Sequence, residues 1–243
     1  MSSKTARRFA ILLGFLVMVA GNGNPAQAGP ADGVEWLGHA SFRIERKGTV
    51  VYVDPWKLDD APHDADVILI THPHADHLSV PDIQKVAKPT TVVVGPPDCL
   101  KDVTGETRAV RPGETLEVGA VNVEAVPAYN TNKAFHPKQN GWVGYVIELG
   151  KTRIYHAGDT DVIPEMHGLV VDVALLPVSG AYVMTAEEAA MAAGVIAPKL
   201  AVPMHYGTII GSETDALRFR ARCEPIPVKI YTRRPPMRGG TVI

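Results

Sequence analysis

The sequence predicts an α+β fold in which β-sheets pack between layers of helices. Short runs of β-branched residues, separated by turn residues, outnumber the helical segments, and they form two series that each have helices beside them. With 46% hydrophobic and 21% charged residues among 243, the chain has the composition of a globular protein. Because no low-complexity linker or fixed-period repeat interrupts it, we expect a single domain over residues 29–243.

The first 28 residues have the features of a secretory signal peptide. Lys4, Arg7 and Arg8 precede an apolar run over residues 9–20, and the small residues Ala26-Gln27-Ala28 follow at a suitable cleavage point. The run is shorter than the roughly 20 residues of a membrane-spanning helix. We therefore expect this segment to be removed and the protein to be exported to the periplasm or the extracellular space, with no stable membrane anchor.

The predicted mature chain is acidic. Removal of the signal peptide lowers Lys+Arg from 24 to 21 against 26 Asp+Glu, so the formal net charge falls from -2 to -5. This charge argues against a nucleic-acid partner. The partner we expect is a small-molecule substrate. Oligomeric state is not indicated by the sequence. The pairing of Cys99 and Cys223 is left open as well, although we favour two separate buried thiols.

The predicted strands are short runs rich in valine and isoleucine. In the first series they occupy residues 34–37, 41–46, 49–53, 67–70 and 91–94. In the second series they occupy residues 108–110, 121–126, 142–148, 152–155, 173–176, 200–203 and 228–231. The number of strands predicts more than one sheet layer.

Three segments have helical patterning. One covers residues 80–86, and the last covers about 214–222. The clearest follows Thr185, where Thr185-Ala186-Glu187-Glu188 is a capping box that opens an alanine-rich run, and Pro198 lies just beyond its end.

A dense group of metal-binding residue types follows the predicted strand at 67–70. The segment His72-Pro73-His74-Ala75-Asp76-His77 presents three imidazoles and a carboxylate within six residues. These are ligands that Zn²⁺ and similar divalent cations prefer, and so dense a polar group would be costly to leave unpaired. The spacing therefore predicts a metal site at the end of this strand.

The chain here resembles the metallo-β-lactamase superfamily, whose His-x-His-x-Asp-His hallmark is matched completely. The resemblance covers nearly the whole mature chain. Within the superfamily, the chain is similar in particular to the branch of ascorbate-phosphate lactonase-like hydrolases. It implies a four-layer αββα sandwich of two mixed sheets flanked by helices. The further segments that carry it are Gly38-His39-Ala40-Ser41-Phe42, Val53-Asp54-Pro55, His156-Ala157-Gly158-Asp159-Thr160 and Pro203-Met204-His205-Tyr206-Gly207.

The resemblance also implies a ligand set for two metal ions. His72 and His74 would bind the first ion, and Asp76 and His77 the second. Asp159 would bridge the two ions, and His205 would complete the second site. On this basis we expect Asp76 and His205 to be catalytic as well as metal-binding residues.

The remaining ligand of the first ion is where the chain departs from similar proteins. Many of them place a histidine directly after the strand that here ends in Ala128-Tyr129-Asn130, so Asn130 occupies that position. His136 follows six residues later and would reach the metal if residues 130–137 fold back. We predict His136 as the ligand, with Asn130 as the alternative.

Other residues have two interpretations each. The resemblance implies that Asp54 orients a ligand histidine. His39 either faces the opening of the site or supports a turn, and His156 is expected to have a packing or supporting role rather than a ligand role. Tyr182 and Tyr206 would either stabilise charge near the metals or be ordinary buried tyrosines.

The predicted function is metal-dependent hydrolysis. Two divalent ions, Zn²⁺ as the first choice with Mn²⁺ or Fe²⁺ as alternatives, would supply a metal-bound hydroxide that cleaves an ester, lactone or phosphodiester bond. Since the predicted centre keeps a net positive charge, we expect a small anionic substrate. The alternatives are a class B β-lactamase and a metal-binding module that has lost turnover.

Overall fold

The computed structural model describes residues 29–233, which contain two six-stranded mixed sheets and three helices. This architecture confirms the predicted α+β sandwich. The predicted signal peptide, residues 1–28, lies outside the described residues, as do residues 234–243.

The first sheet contains the six N-terminal strands in their order along the chain. The pairings β1–β2 and β2–β3 are antiparallel, whereas β3 to β6 run parallel to one another. The strands are β1 (Val34–Gly38), β2 (Ser41–Arg46), β3 (Thr49–Val53), β4 (Ala65–Leu69), β5 (Ala87–Gly95) and β6 (Glu106–Ala109).

The second sheet has the spatial order β12-β11-β10-β9-β8-β7. Strands β7 to β10 pair antiparallel, and β10, β11 and β12 pair parallel. The strands are β7 (Thr115–Val118), β8 (Val121–Pro127), β9 (Val143–Leu149), β10 (Thr152–His156), β11 (Val173–Pro177) and β12 (Leu200–Met204).

The helices begin where the sequence predicts. Ser79 caps α1 (Val80–Val86), and the predicted capping box opens α2 (Ala186–Ile196), where Thr185 Oγ1 accepts from Glu188 N at 3.1 Å. The third helix, α3 (Glu213–Arg222), packs against α2 and β12. The longest helix within residues 29–233 has 11 residues, and none there is long and apolar enough to cross a bilayer.

Strand alternation divides the core into two parts. Val51 and Val53 of β3 belong to the large hydrophobic cluster that contains residues of both sheets, such as Ile147 of β9. Tyr52, which points the opposite way, belongs to a smaller cluster with Ile83 of α1. The first sheet is therefore buried on both faces, between α1 and the second sheet, while the alanines of α2 cover β11 from the outer side.

The sequence-based prediction was wrong about one strand and did not include another. The predicted strand at residues 228–231 forms only one bridge, from Val228 to Ala201, because the next bond of the parallel ladder would need an N–H at Pro203 of β12, which proline lacks. The strand that was not predicted, β7, lies at the edge of the second sheet and pairs only with β8. Because most of its residues are exposed, its sequence lacks the hydrophobic alternation of a half-buried strand. Cys99 and Cys223 are both buried free thiols, as favoured.

Candidate metal centre

The histidine motif lies just beyond the C-terminal end of β4. A tight turn folds it on itself, since His77 N and Leu78 N both donate to His74 O, at 2.9 Å and 2.8 Å. His72 and His77 are buried, whereas His74 and Asp76 are partly exposed. The turn thus brings the side chains of the motif to one end of the sandwich.

All seven predicted ligands meet at this end. Three overlapping groups have potential ligand atoms within 4.8 Å of one another: His72 with His74 and His136, His72 with His77 and Asp159, and His39 with Asp76, His77 and His205. The groups share His72 and His77, and one of them contains His39, which the ligand prediction did not include.

Asp159 lies near histidines of all three groups. Its Oδ2 is 3.1 Å from His205 Nε2 and 3.3 Å from His136 Nε2, and its Oδ1 is 3.3 Å from His77 Nε2. The carboxylate therefore reaches histidines of these groups, which is the position that the bridging role implied by the resemblance requires. Burial alone would raise the pKa of Asp159. The charge and hydrogen bonds of the surrounding imidazoles outweigh this effect and hold the pKa of Asp159 well below 3.8.

The inward-facing atoms lack partners. The Nε2 atoms of His72, His77, His136 and His205 and Oδ1 of Asp159 are buried without a hydrogen bond. A buried polar atom left unpaired costs about 1–3 kcal/mol, so five in one place are not stable by themselves. Imidazole nitrogens and a carboxylate with free lone pairs form a donor set that fits divalent metal ions.

The outward-facing nitrogens of the same histidines are all held by oxygen atoms. Since Nδ1 then carries the proton, Nε2 keeps its lone pair for a metal. The four contacts are His72 to Thr71 Oγ1 (2.9 Å), His77 to Asp54 Oδ2 (2.7 Å), His136 to Asn130 Oδ1 (3.1 Å) and His205 to Ser179 Oγ (2.9 Å).

Asp54 is the most connected of these supporting residues. It is fully buried, and besides His77 it accepts hydrogen bonds from Thr71 N at 2.8 Å and Thr71 Oγ1 at 2.7 Å. Burial alone would lower the pKa of His77, but the carboxylates of Asp159 and Asp54 raise it well above 6.5 without a metal, so a metal that binds Nε2 would have to displace a proton. Asp54 thus orients a predicted ligand histidine, as the resemblance implies.

His136, and not Asn130, belongs to the ligand group. Asn130 Oδ1 accepts from His136 N at 3.0 Å and from His136 Nδ1 at 3.1 Å, while its Nδ2 donates to Asp161 and to the carbonyl of Tyr182. Both ends of the Asn130 amide are therefore engaged by other protein groups, and Asn130 is not in any of the three groups. Residues 130–137 fold back, which is the condition under which His136 was expected to reach the site.

His39 faces the site. It is fully buried, and its Nε2 donates to Asp76 Oδ2 at 3.0 Å. Burial would raise the pKa of Asp76, but the hydrogen bond from His39 and the charge of His77 lower it to about 2. Asp76 is consequently ionised at neutral pH.

The other candidates lie further away. His156 uses both ring nitrogens in the fold, because Nε2 donates to Ala40 O at 2.8 Å and Nδ1 accepts from Gly158 N at 3.2 Å. Tyr206 stacks on Trp36 with ring centroids 4.9 Å apart, and it does not line the cavity at the candidate centre. Tyr182 does line that cavity.

Three residues of the site region have left-handed backbone conformations. His39, Asp54 and His205 have φ values of 52°, 45° and 60°. Such conformations are costly for residues other than glycine and persist only where surrounding contacts impose them. His205 N donates to His39 O at 2.8 Å, so the two strained residues hold each other in place.

The cavity at the candidate centre has a volume of about 200 Å³. Five predicted ligands line it, namely His74, Asp76, His136, Asp159 and His205, together with Phe135, Tyr182 and Ile209. Sequence reasoning missed Phe135 and Ile209, as it missed Thr71 and Ser179 beside His72 and His205. Only adjacency to a predicted ligand could have suggested Phe135 and Thr71.

Comparison with known proteins places the chain in a recognised group. Residues 33–205 match the family model of the β-lactamase superfamily domain. A UPF0173 metal-dependent hydrolase of Methanopyrus kandleri is 32% identical over 217 residues, covering 81% of this chain and 94% of the relative. Another, from Thermoplasma acidophilum, is 35% identical over 206 residues, covering 76% and 88%.

Solved structures agree with this grouping. The crystal structure of a proposed metal-dependent hydrolase from Parabacteroides distasonis has a TM-score of 0.74 and 34% identity, covering 81% of this chain and 91% of that one. The metallo hydrolase Igni18 from Ignicoccus hospitalis has a TM-score of 0.68 at 24% identity, covering 82% and 94%, and supports the fold alone.

Proposed function

This chain belongs to the metallo-β-lactamase superfamily, and we propose that it is a metal-dependent hydrolase that uses two divalent ions to cleave an ester, lactone or phosphodiester bond of a small molecule. Its relatives that span most of the chain carry the name metal-dependent hydrolase. The observation that carries the proposal is the convergence of the buried, unpaired Nε2 atoms of four histidines on the carboxylate of Asp159, all within 3.9 Å of one of its oxygens.

The ligands divide between two positions. His72, His74 and His136 would hold one ion, and Asp76, His77 and His205 would hold the other, with Asp159 between them. Zn²⁺ is the ion we expect, because it suits imidazole and carboxylate donors, and Mn²⁺ and Fe²⁺ are the alternatives. When bound, two such ions lower the pKa of a water and polarise the oxygen of the bond to be cleaved.

The protein's own groups fix the geometry of the reaction. Asp76 remains ionised because its pKa is about 2, so it can accept a hydrogen bond and orient a water in the cavity. His39 keeps the Asp76 carboxylate in place through its hydrogen bond at 3.0 Å. His205 also lines the cavity, and Ser179 fixes its ring. We propose Asp76 and His205 as the catalytic residues.

Metal content tests the proposal most directly. Purified protein is analysed by inductively coupled plasma mass spectrometry beside His136→Ala and Asn130→Ala, with the exposed His167→Ala as a matched control. We expect about two equivalents in wild type and in His167→Ala, and about one in His136→Ala. One equivalent in wild type, unchanged in His136→Ala, would instead support a mononuclear centre or a binding module.

Activity is measured on the same preparations. Treatment with EDTA should abolish hydrolysis across a panel of esters, lactones and phosphodiesters, and addition of Zn²⁺ or Mn²⁺ should restore it. Turnover that persists without metal contradicts the proposal. A chromogenic cephalosporin in the panel tests the class B β-lactamase alternative.

We also propose that the protein is exported, and this proposal rests on the sequence of residues 1–28 alone. The basic, apolar and small-residue segments support a cleaved signal peptide. The intact mass of protein recovered outside the cytoplasm should correspond to a chain that begins at Gly29, whereas an intact N-terminus in that fraction would contradict cleavage.

A further inference from the structure

Apolar side chains surround the opening of the candidate metal cavity. Six large hydrophobic residues are exposed in the described part of the chain, and three of them line this one cavity: Phe135, Tyr182 and Ile209, which are 49%, 39% and 56% exposed. They come from three separate segments, after β8, β11 and β12. An apolar group that three independent loops assemble at one opening is typical of a binding site rather than of ordinary surface.

Two of the three apolar residues, Phe135 and Tyr182, contact each other and are tied to the loop that carries His136. The rings of Phe135 and Tyr182 meet edge to face with centroids 4.6 Å apart. Phe135 directly precedes His136, and the carbonyl of Tyr182 accepts a hydrogen bond from Asn130 Nδ2 at 3.0 Å. Contacts that hold His136 in the ligand group therefore also place Phe135 and Tyr182 at the opening.

Positive side chains do not line the cavity. Of the residues that surround it within the described chain, none is lysine or arginine. Lys133, the nearest lysine along the loop, pairs with Asp161 and is only 16% exposed. Apart from the metal ions, this cavity therefore lacks the cationic groups that normally bind a phosphate or carboxylate on a substrate.

The cavity also limits the size of what it holds. Its volume is about 200 Å³. This falls below the roughly 300–1,000 Å³ that is common for ligand pockets. A short chain or a single ring would fill it.

We propose that the substrate is an uncharged ester or lactone with a short apolar group, which packs against Phe135, Tyr182 and Ile209. This inference rests on the proposed hydrolytic function, and it replaces the anionic substrate expected from the sequence. The apolar group lies at the opening, and the bond to be cleaved lies beside Asp76 and His205. Phosphodiesters and phosphorylated compounds are the disfavoured substrates, because no basic side chain lines the cavity.

Binding is tested separately from turnover. Primary amides from acetamide to octanamide are uncharged isosteres of the esters that resist hydrolysis, and their affinity for the protein as purified is measured by NMR titration. We expect affinity to increase about two- to fourfold per methylene, since each buried methylene contributes about 0.8 kcal/mol, until the cavity is filled. Ile209→Ala and Tyr182→Ala should weaken binding of the longer amides, whereas Val170→Ala, at an exposed valine elsewhere, should not.

Kinetics on the metal-loaded enzyme provide the second measurement. With p-nitrophenyl esters of two to eight carbons, Ile209→Ala should raise KM for the longer esters about threefold or more and leave kcat nearly unchanged, because the contact is made with the substrate as well as with the transition state. Ile209→Lys should shift the preference towards a phosphodiester.

The outcomes separate the two proposals. Hydrolysis with no dependence on chain length, or a preference of wild type for phosphorylated substrates, would overturn the apolar specificity and leave the hydrolase in place. Amide binding that depends on chain length and on Ile209, without hydrolysis of any compound in the panel, would overturn the hydrolase and retain the apolar ligand preference.

Discussion

Asn130 holds His136 by both its main chain and its side chain. Asn130 Oδ1 accepts from His136 N at 3.0 Å and from His136 Nδ1 at 3.1 Å, and Asn130 N donates to His136 O at 2.8 Å. Asn130 stands where similar proteins were expected to carry a ligand. It closes the loop that brings the predicted ligand His136, six residues later, to the site. Its role is to position His136.

Loss of the Asn130 amide should weaken metal binding without removing a ligand. In Asn130→Ala the Nδ1–H of His136 loses its acceptor and the ring loses its orientation. Supporting partners of this kind typically contribute 10–100-fold to metal affinity. We expect a loss of that size at one of two sites, measured by competition with a chromogenic chelator. Asn122→Ala, at an exposed asparagine of β8, is the control and should bind as wild type does.

Asp161 should anchor the same loop. It is 2% exposed, and it accepts from Asn130 Nδ2 at 3.2 Å, from Thr131 N at 2.8 Å and from Lys133. Asp161→Asn removes the charge that faces Lys133, and we expect a loss of about 1–3 kcal/mol in the free energy of unfolding, measured in urea. Faster trypsin cleavage after Lys133 should accompany it. The exposed Asp102→Asn is the control, and equal stability of the two variants would exclude an anchoring role.

Local patterns in the sequence predicted the α+β class and the His72 to His77 group, whereas the four-layer sandwich and the roles of Asp159 and His205 came from the resemblance to the superfamily. The His72 to His77 segment lies in one turn after one strand, so its spacing alone brings the residues together. The contribution of His136 could be stated only with Asn130 as an alternative, because the return of residues 130–137 depends on Asp161, which is remote in sequence. Ser179 had no sequence signal at all, since its contact with His205 exists only after β11 and β12 pair.

The stability of the α1 region should depend on pH through Asp82. Burial would raise the pKa of its carboxyl, but hydrogen bonds from Lys85, Ser79 and the main chain of Leu58 and Lys57 outweigh burial and lower it below 3.8. A carboxyl with a lowered pKa in the folded state stabilises the protein above the unfolded-state pKa, and this contribution is lost as pH falls through the folded-state value.

Asp82→Asn should therefore be less stable than wild type at pH 7. The difference in the free energy of unfolding should shrink as the pH falls below about 4, where the wild-type carboxyl in the unfolded state takes up a proton. Urea unfolding at pH 7, 5 and 3 measures this difference. The exposed Asp102→Asn provides the baseline, and a difference that is constant with pH would show that the charge of Asp82 does not contribute.

Gly144 should be essential for the position of Asp159. A Cβ at Gly144 would lie 2.6 Å from the carbonyl oxygens of His156 and Ala157, in the segment that leads from β10 to Asp159. Main-chain atoms cannot move aside as a flexible side chain can, so Gly144→Ala must displace this segment. We expect a loss of about 1–3 kcal/mol in the free energy of unfolding and weaker binding at both metal positions, because Asp159 lies between them.

Gly194 is the matched comparison. It lies inside α2 with no atom within 4 Å of an added Cβ, so Gly194→Ala should raise stability by about 0.5–1 kcal/mol through the higher helix propensity of alanine. Urea unfolding and metal content of both variants test the pair, and a Gly144→Ala protein with wild-type metal content would show that the 156–159 segment adapts without moving Asp159.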